Sequence, residues 1–203
     1  MRRLRINNLV TGPATRAFRA VVWAGAILSL LACSGPRAYL NPEADLGFYR
    51  RIGVAQFQTL ADDPRAGQRV QRVLVTELLR RKDFELVSPG QFEKIETDVR
   101  TRLNLASDRP LDSAALREIS QQTGAQGILL GVVRDYRMER VGQTEFPMIA
   151  FSLQLVDAPT GRIVWDVSVG ERGGPKFPIL PFGETHTLSE LATKLCRRAL
   201  GSL

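Results

Sequence analysis

The side chains of this 203-residue chain with the types to do chemistry are two thiols, one imidazole, an acidic pair and a glycine trio. His186 is the single histidine. A general base must reach a nucleophile or a substrate proton. His186 instead stands next to Thr187 at the start of a helical pattern, where a solvated polar role is expected. Asp62-Asp63 is a carboxylate pair, but Pro64 and a helix follow, so it reads as an N-terminal cap and dipole partner. Gly124, Gly127 and Gly131 lead from a helix into a strand, whereas a phosphate-cradling loop leads from a strand into a helix. The sequence carries no GxSxG, HExxH or Walker pattern and no Cys/His spacing for a metal. The expectation is a protein that binds and does not catalyse, with no cofactor.

The one covalent role falls to Cys33. Leu30-Leu31-Ala32-Cys33 closes an uncharged run, residues 20–32, behind an N-terminus carrying Arg2, Arg3, Arg5, Arg16 and Arg19. This arrangement resembles a bacterial lipoprotein signal, in which small Ala32 admits a signal peptidase and the next thiol is acylated. The resemblance implies cleavage between Ala32 and Cys33 and a lipid anchor on Cys33. A helix needs roughly 20 apolar residues to cross a bilayer core, more than this run supplies, so a retained membrane span is the weaker reading. An ordinary secretory signal with a chance cysteine is the alternative. Ser34, by resemblance to lipoprotein sorting signals, implies outer-membrane retention with the domain facing the periplasm.

Cleavage changes the charge argument. Residues 1–32 hold five of the 28 basic residues and none of the 21 acidic ones, so the mature chain carries 23 against 21, a net charge of +2. The sequence pI of about 10.1 therefore mostly reports the signal. No nucleic-acid partner is expected. Arg80-Arg81-Lys82 ends a helical pattern, where cations complement the macrodipole. With Cys33 acylated, Cys196 has no disulfide partner, and its place beside an apolar helical stripe predicts a buried, inert thiol.

These positions need a scaffold, and about 170 mature residues suffice for one domain. Residues 34–49 show no apolar period and are punctuated by Gly35, Pro36, Asn41 and Pro42, which reads as a tether. The expected organisation is a signal over 1–32, a lipidated tether over 33–50 and a folded domain over 51–203. Ile52, Val54 and Phe57 predict a first strand over 51–57, followed by a loop over 58–64. Ala66, Val70, Val73, Leu74 and Leu78 predict a helix from about 65 to 81, and Phe84, Leu86 and Val87 a short strand. Ser88-Pro89-Gly90-Gln91 reads as a capping box, with Val87 and Phe92 as a staple, opening a helix at Pro89 that runs to about Leu103. Asp112 caps a third helix ended by Gly124. Residues 126–133 are apolar on both faces, as in a central strand, and alternation continues in polar residues to Arg140. Two alternating runs, Ile149 to Leu155 and Ile163 to Val169, flank the turn Asp157-Ala158-Pro159-Thr160-Gly161. Thr187 and Glu190 open a last helix.

Thr76-Glu77-Leu78-Leu79-Arg80, Phe84-Glu85-Leu86-Val87-Ser88, residues 123–131 and residues 153–165 occur in an order that resembles the curli secretion lipoprotein (CsgG-like) family. The likeness covers about 52–200 and extends to lipoprotein activators of penicillin-binding proteins, flagellar accessory lipoproteins and the N-terminal domain of a Tol system protein. It implies an anticodon-binding-domain-like α/β fold. The expected form is a single domain with a mixed, mostly antiparallel sheet of about five strands packed by about four helices. Curli secretion proteins add transmembrane hairpins, and here the chain departs from them. A membrane-crossing strand needs about 9 to 11 residues, more than 138–147 allows for two, while Pro175, Pro178 and Pro181 interrupt 170–184. The chain is not expected to form a pore alone.

That second segment is the expected partner-binding loop. Its prolines recur every third residue, as on one face of a polyproline II helix, while Phe177, Ile179, Leu180 and Phe182 give it a dense apolar load. The other reading is a lid folded over the apolar face of the sheet. Taken together, the sequence predicts a lipid-anchored periplasmic accessory protein of an envelope assembly or secretion machine. The alternatives are an activator of a peptidoglycan synthase and a homo-oligomeric secretion ring.

Overall fold

The computed structural model describes residues 37–174 and 185–203. Ala32, Cys33, Phe177, Ile179, Leu180 and Phe182 lie outside the described residues. Among the described residues seven strands form one sheet: β1 (Arg37–Leu40), β2 (Arg51–Val54), β3 (Gln58–Thr59), β4 (Glu85–Leu86), β5 (Gly127–Val141), β6 (Thr144–Asp157) and β7 (Ile163–Arg172). Four α-helices accompany them among the described residues: α1 (Ala66–Arg80), α2 (Pro89–Arg102), α3 (Ser113–Thr123) and α4 (Leu188–Leu200). The sheet order is β1-β7-β6-β5-β2-β4, with β3 also pairing β5. Pairs among β1, β7, β6 and β5 are antiparallel, while β2 pairs β5 and β4 in parallel and β3 pairs β5 in parallel. The single α/β domain with a mixed sheet is thus as expected.

The two strands beyond the expected five are β1 and β3, both outside the regular apolar patterns. Arg37–Leu40 pairs with the stretch from Trp165 to Ser168 of β7. Asp45 then caps a short 3-10 turn, Leu46–Phe48, accepting from the Gly47 N–H at 2.9 Å. The expected tether therefore yields most of its length to the domain. Four residues on an exposed sheet edge need no buried face, so they show no alternation.

Period-two patterning places Leu129, Ile149, Phe151, Leu153, Leu155, Trp165 and Val167 on one sheet face, where they pack with Val70, Leu74 and Leu78 of α1 and Leu191, Leu195 and Ala199 of α4. Ile128, Val156 and Ala55 pack on the other face with Phe92 and Val99 of α2 and Ala115, Leu116 and Ile119 of α3. The helix ends follow their local chemistry. Asp112 Oδ1 accepts from Ala115 N at 2.8 Å, and Gly124 closes α3 in the left-handed region at φ 69°. Helix α2 starts at Pro89 as expected, but the Ser88 hydroxyl makes no capping bond. Buried Val87 and Phe92, both in the α2–α3 core, hold that turn instead.

Strand β6 begins five residues before the expected Ile149. It pairs β5 from Asp157 to Thr144, with a bulge between Val133 and Asp135. Beyond the last β6–β7 pair, Met148 with Arg172, the β5–β6 hairpin continues as a two-stranded ribbon to the Gly142-Gln143 turn.

Candidate interaction site

The loop singled out from the sequence has a defined stem. Gly173 N donates to Pro147 O at 2.7 Å, which extends the β7 edge along the hairpin. Gly174 N donates to Thr185 O at 3.3 Å, so residues 174 and 185, on either side of 175–184, meet at one point. Gly174 takes φ 100°, and a Cβ there would stand 2.8 Å from the Phe146 ring. Phe146, Pro147 and buried Thr185 thus surround the stem at the base of the hairpin tip. Two residues later, Thr187 Oγ1 accepts from Glu190 N at 3.2 Å and opens α4.

The surroundings are charged and partly apolar. Arg137 pairs with Asp135, and Arg172 with Glu139 at 3.6 Å. Glu171 receives Lys194 at 2.6 Å and Arg198 at 2.7 Å, which ties β7 to α4. Between the hairpin arginines, Met138 and Val141 are 41% and 43% exposed.

A second feature lies across the molecule and was not legible in the sequence. The crossover from β2 to β4 runs through α1 on one face, and the return from β4 to β5 runs through α2 and α3 on the other. In such sheets a crevice opens at the carboxyl ends of the strands where the connections diverge. Here it has a volume of about 430 Å³ and is lined by Gln56, Gln68, Gln71, Arg72 and Glu93 among others. Gln71 Nε2 donates to Ala55 O at 3.1 Å and Arg72 to Gln68 Oε1 at 2.9 Å. Gln68 and Arg72 stand off the buried stripe of Val70, Leu74 and Leu78 on α1. Buried Glu96 also lines the crevice, accepting from Arg100 Nε and from Gln56 N, both at 2.9 Å. Arg100 in turn donates to Ala106 O at 3.2 Å and Arg109 O at 2.9 Å.

The remaining chemical candidates are dispersed. Asp63 accepts from Arg65 N at 2.8 Å and pairs with Arg69 at 3.3 Å, but the N-cap position of α1 is Arg65, with no side-chain capping bond, so the expected aspartate cap is not formed. His186 is exposed beside the α4 cap. Gly131 is a packing glycine, since a Cβ there would lie 2.6 Å from the Phe57 ring. Cys196 is buried, and burial pushes its thiol up to about 12. Glu77 of α1 accepts from Arg197 of α4 at 2.8 Å, and this hydrogen bond holds its carboxyl below the usual range.

Comparison with known proteins adds the family. No curated protein matches the chain. The PelC dodecamer from Paraburkholderia phytofirmans is similar with a TM-score of 0.54 at 19% identity, over 81% of this chain and 92% of that one. Lipoprotein GNA1162 from Neisseria meningitidis is similar with a TM-score of 0.53 at 16% identity, over 75% of this chain and 96% of that one. At such identities the likeness shows a shared fold. A family model described as peptidoglycan-synthase activator LpoB matches residues 67–169, from α1 through most of β7. With just over half of its residues in that match, the chain belongs to the peptidoglycan-synthase activator LpoB family.

Proposed function

We propose that this protein is a lipid-anchored, periplasm-facing accessory protein of cell-envelope assembly that activates a peptidoglycan synthase by binding it. The carrying observation is the family match over residues 67–169, which takes in β5, β6 and the helices α2 and α3 whole. Activation by binding requires only that the domain hold the synthase's active conformation more tightly than its inactive one. The test titrates the mature protein into a detergent-solubilised bifunctional synthase and follows consumption of the lipid-linked disaccharide precursor. A saturable rise in rate with co-purification of the two proteins supports the reading. An unchanged rate with no co-purification overturns it.

In this reading Cys33, released by cleavage after Ala32, carries the lipid, and the outer membrane is the assigned location. Phe177, Ile179, Leu180 and Phe182 form the partner contact, presented from the stem at Gly174 and Thr185. Phe177→Ala with Phe182→Ala separates the contact from a lid: unchanged stability with lost synthase capture supports the contact, and a large fall in melting temperature supports the lid. Kinship with curli secretion lipoproteins rests on the order of the sequence segments. A ring assembly has in its favour a fold shared with the dodecameric PelC. Mass photometry that finds only monomers of the mature protein removes it.

A further inference from the structure

The contour length between the anchor and the domain limits where the hairpin can lie. Strand β1 begins four residues after Cys33. Four residues extend at most about 14 Å. Through the pairings Arg37 with Ser168, Ser168 with Ser152 and Ser152 with Val132, the start of β1 sits in one row across the sheet. The chain enters β1 from the side on which the hairpin projects. From Ser152 to Thr144 the hairpin runs eight residues past that row, roughly 27 Å at strand rise. The overhang is therefore about twice the reach of the anchor. A flat bilayer that holds Cys33 and lies across the strand direction therefore meets the tip.

The tip suits such a contact. Met138 and Val141 are large exposed apolar side chains on it, beside exposed Arg140, while Arg137 behind them is paired with Asp135 and Glu139. Arginine lays an aliphatic stem on apolar surface while its guanidinium reaches outward to phosphate. We propose that the β5–β6 hairpin tip, through Met138, Val141 and Arg140, rests on the phospholipid surface that holds Cys33. This rests on the reading of Cys33 as the lipidated residue and adds to it an orientation: hairpin on the membrane, the Asp157-to-Gly161 turn at the far end of β6 away from it.

The test uses the acylated protein purified from membranes and reconstituted in phosphatidylethanolamine and phosphatidylglycerol vesicles containing a doxyl-labelled lipid. One preparation carries an NBD fluorophore on Val141→Cys and another on Pro159→Cys. Buried Cys196 stays unlabelled. The expected result is a quenching of about twofold or more at position 141 and less than about a tenth at position 159, as for a group at the acyl boundary against one in water. Equal quenching at both positions, or none at 141, in protein that floats with the vesicles and has acylated Cys33 by intact mass, overturns the hairpin contact and leaves the anchor standing. Protein that fails to float and shows an unmodified Cys33 overturns both.

Discussion

The Glu96–Arg100 pair is the buried ionic element on which the loop between α2 and α3 depends, and its removal should be costly in one order and mild in another. The side chains are 4% and 9% exposed, so both charges are largely out of water. Glu96→Ala leaves the guanidinium with two carbonyl partners and no counter-charge. Breaking a buried pair in this way costs about 3–5 kcal/mol. For a domain of ordinary stability, with a urea m-value of about 2 kcal/mol/M, the midpoint should fall by roughly 1.5–2.5 M. Glu96→Leu with Arg100→Met removes both charges. Ala106 and Arg109 are exposed, so their carbonyls turn to water, and the chief loss is the acceptor for Gln56 N, about 1–3 kcal/mol. Urea titration followed by far-UV circular dichroism and by Trp165, the mature chain's single tryptophan, measures all three proteins. A double variant that costs as much as Glu96→Ala or more would refute the reasoning, because the uncompensated guanidinium would then not be the source of the loss.

Other residues give sharper local tests. Gly131→Ala drives a methyl into the buried Phe57 ring and should cost about 1–3 kcal/mol by overpacking, with Phe57→Leu in the same chain recovering part of it; thermal melts of the two variants decide this. Cys196, pushed up to about 12, should react with a disulfide reagent at pH 8 roughly a thousandfold more slowly in the folded than in the unfolded protein, as its thiolate fraction falls by that factor. Glu77 has a lowered folded pKa, so its contribution is present in full above its unfolded value near 4.5 and is lost as pH falls through the folded value. Arg197→Gln should therefore destabilise the protein at pH 6, and by less at pH 3, in matched urea titrations; a loss that grows on acidification contradicts the assignment. Arg197 is 58% exposed, so the effect at pH 6 should be modest, under about 1 kcal/mol.

Much of this fold was legible because local signals and the core agree. Asp112 and Gly124 bracket α3 as their chemistry dictates, and the stripe Leu191, Ala192, Leu195 and Ala199 buries as its spacing requires. What escaped the sequence shares a physical cause. Strand β1 lies on an edge with Ala38, Tyr39 and Leu40 all exposed, so no burial imposes alternation on them. Strand β3 is two residues long and sits where Phe57 crosses Gly131. Strand β6 opens with exposed Thr144 and Glu145 before its alternation starts at Phe146 and buried Pro147, and its partner β5, not an apolar pattern, holds those first residues extended. The crevice at the end of β2 comes from topology. Gln68, Gln71 and Arg72 acquire a common neighbourhood with Glu93 only when α1 and α2 leave the sheet on opposite faces.

If Cys33 carries the lipid and the protein activates a synthase, as proposed, the short link between anchor and domain bears directly on how the two proteins meet. A protein that must cross from one membrane to an enzyme held in another needs a long flexible reach, its own or its partner's. In this chain the domain begins four residues after Cys33, and a compact domain of this size has a radius of gyration of roughly 15 Å. Its surface is thereby confined to within a few tens of ångströms of the lipid that holds it, and a hairpin resting on that lipid confines it further. The reach must then come from the synthase, or the two proteins must share a membrane and meet by lateral diffusion. With the hairpin tip on the lipid, the stem at Gly174 and Thr185, beside Phe146 and Pro147, lies at the lipid-facing end of the sheet, so a synthase captured by the proposed loop contact meets the domain close to the membrane surface.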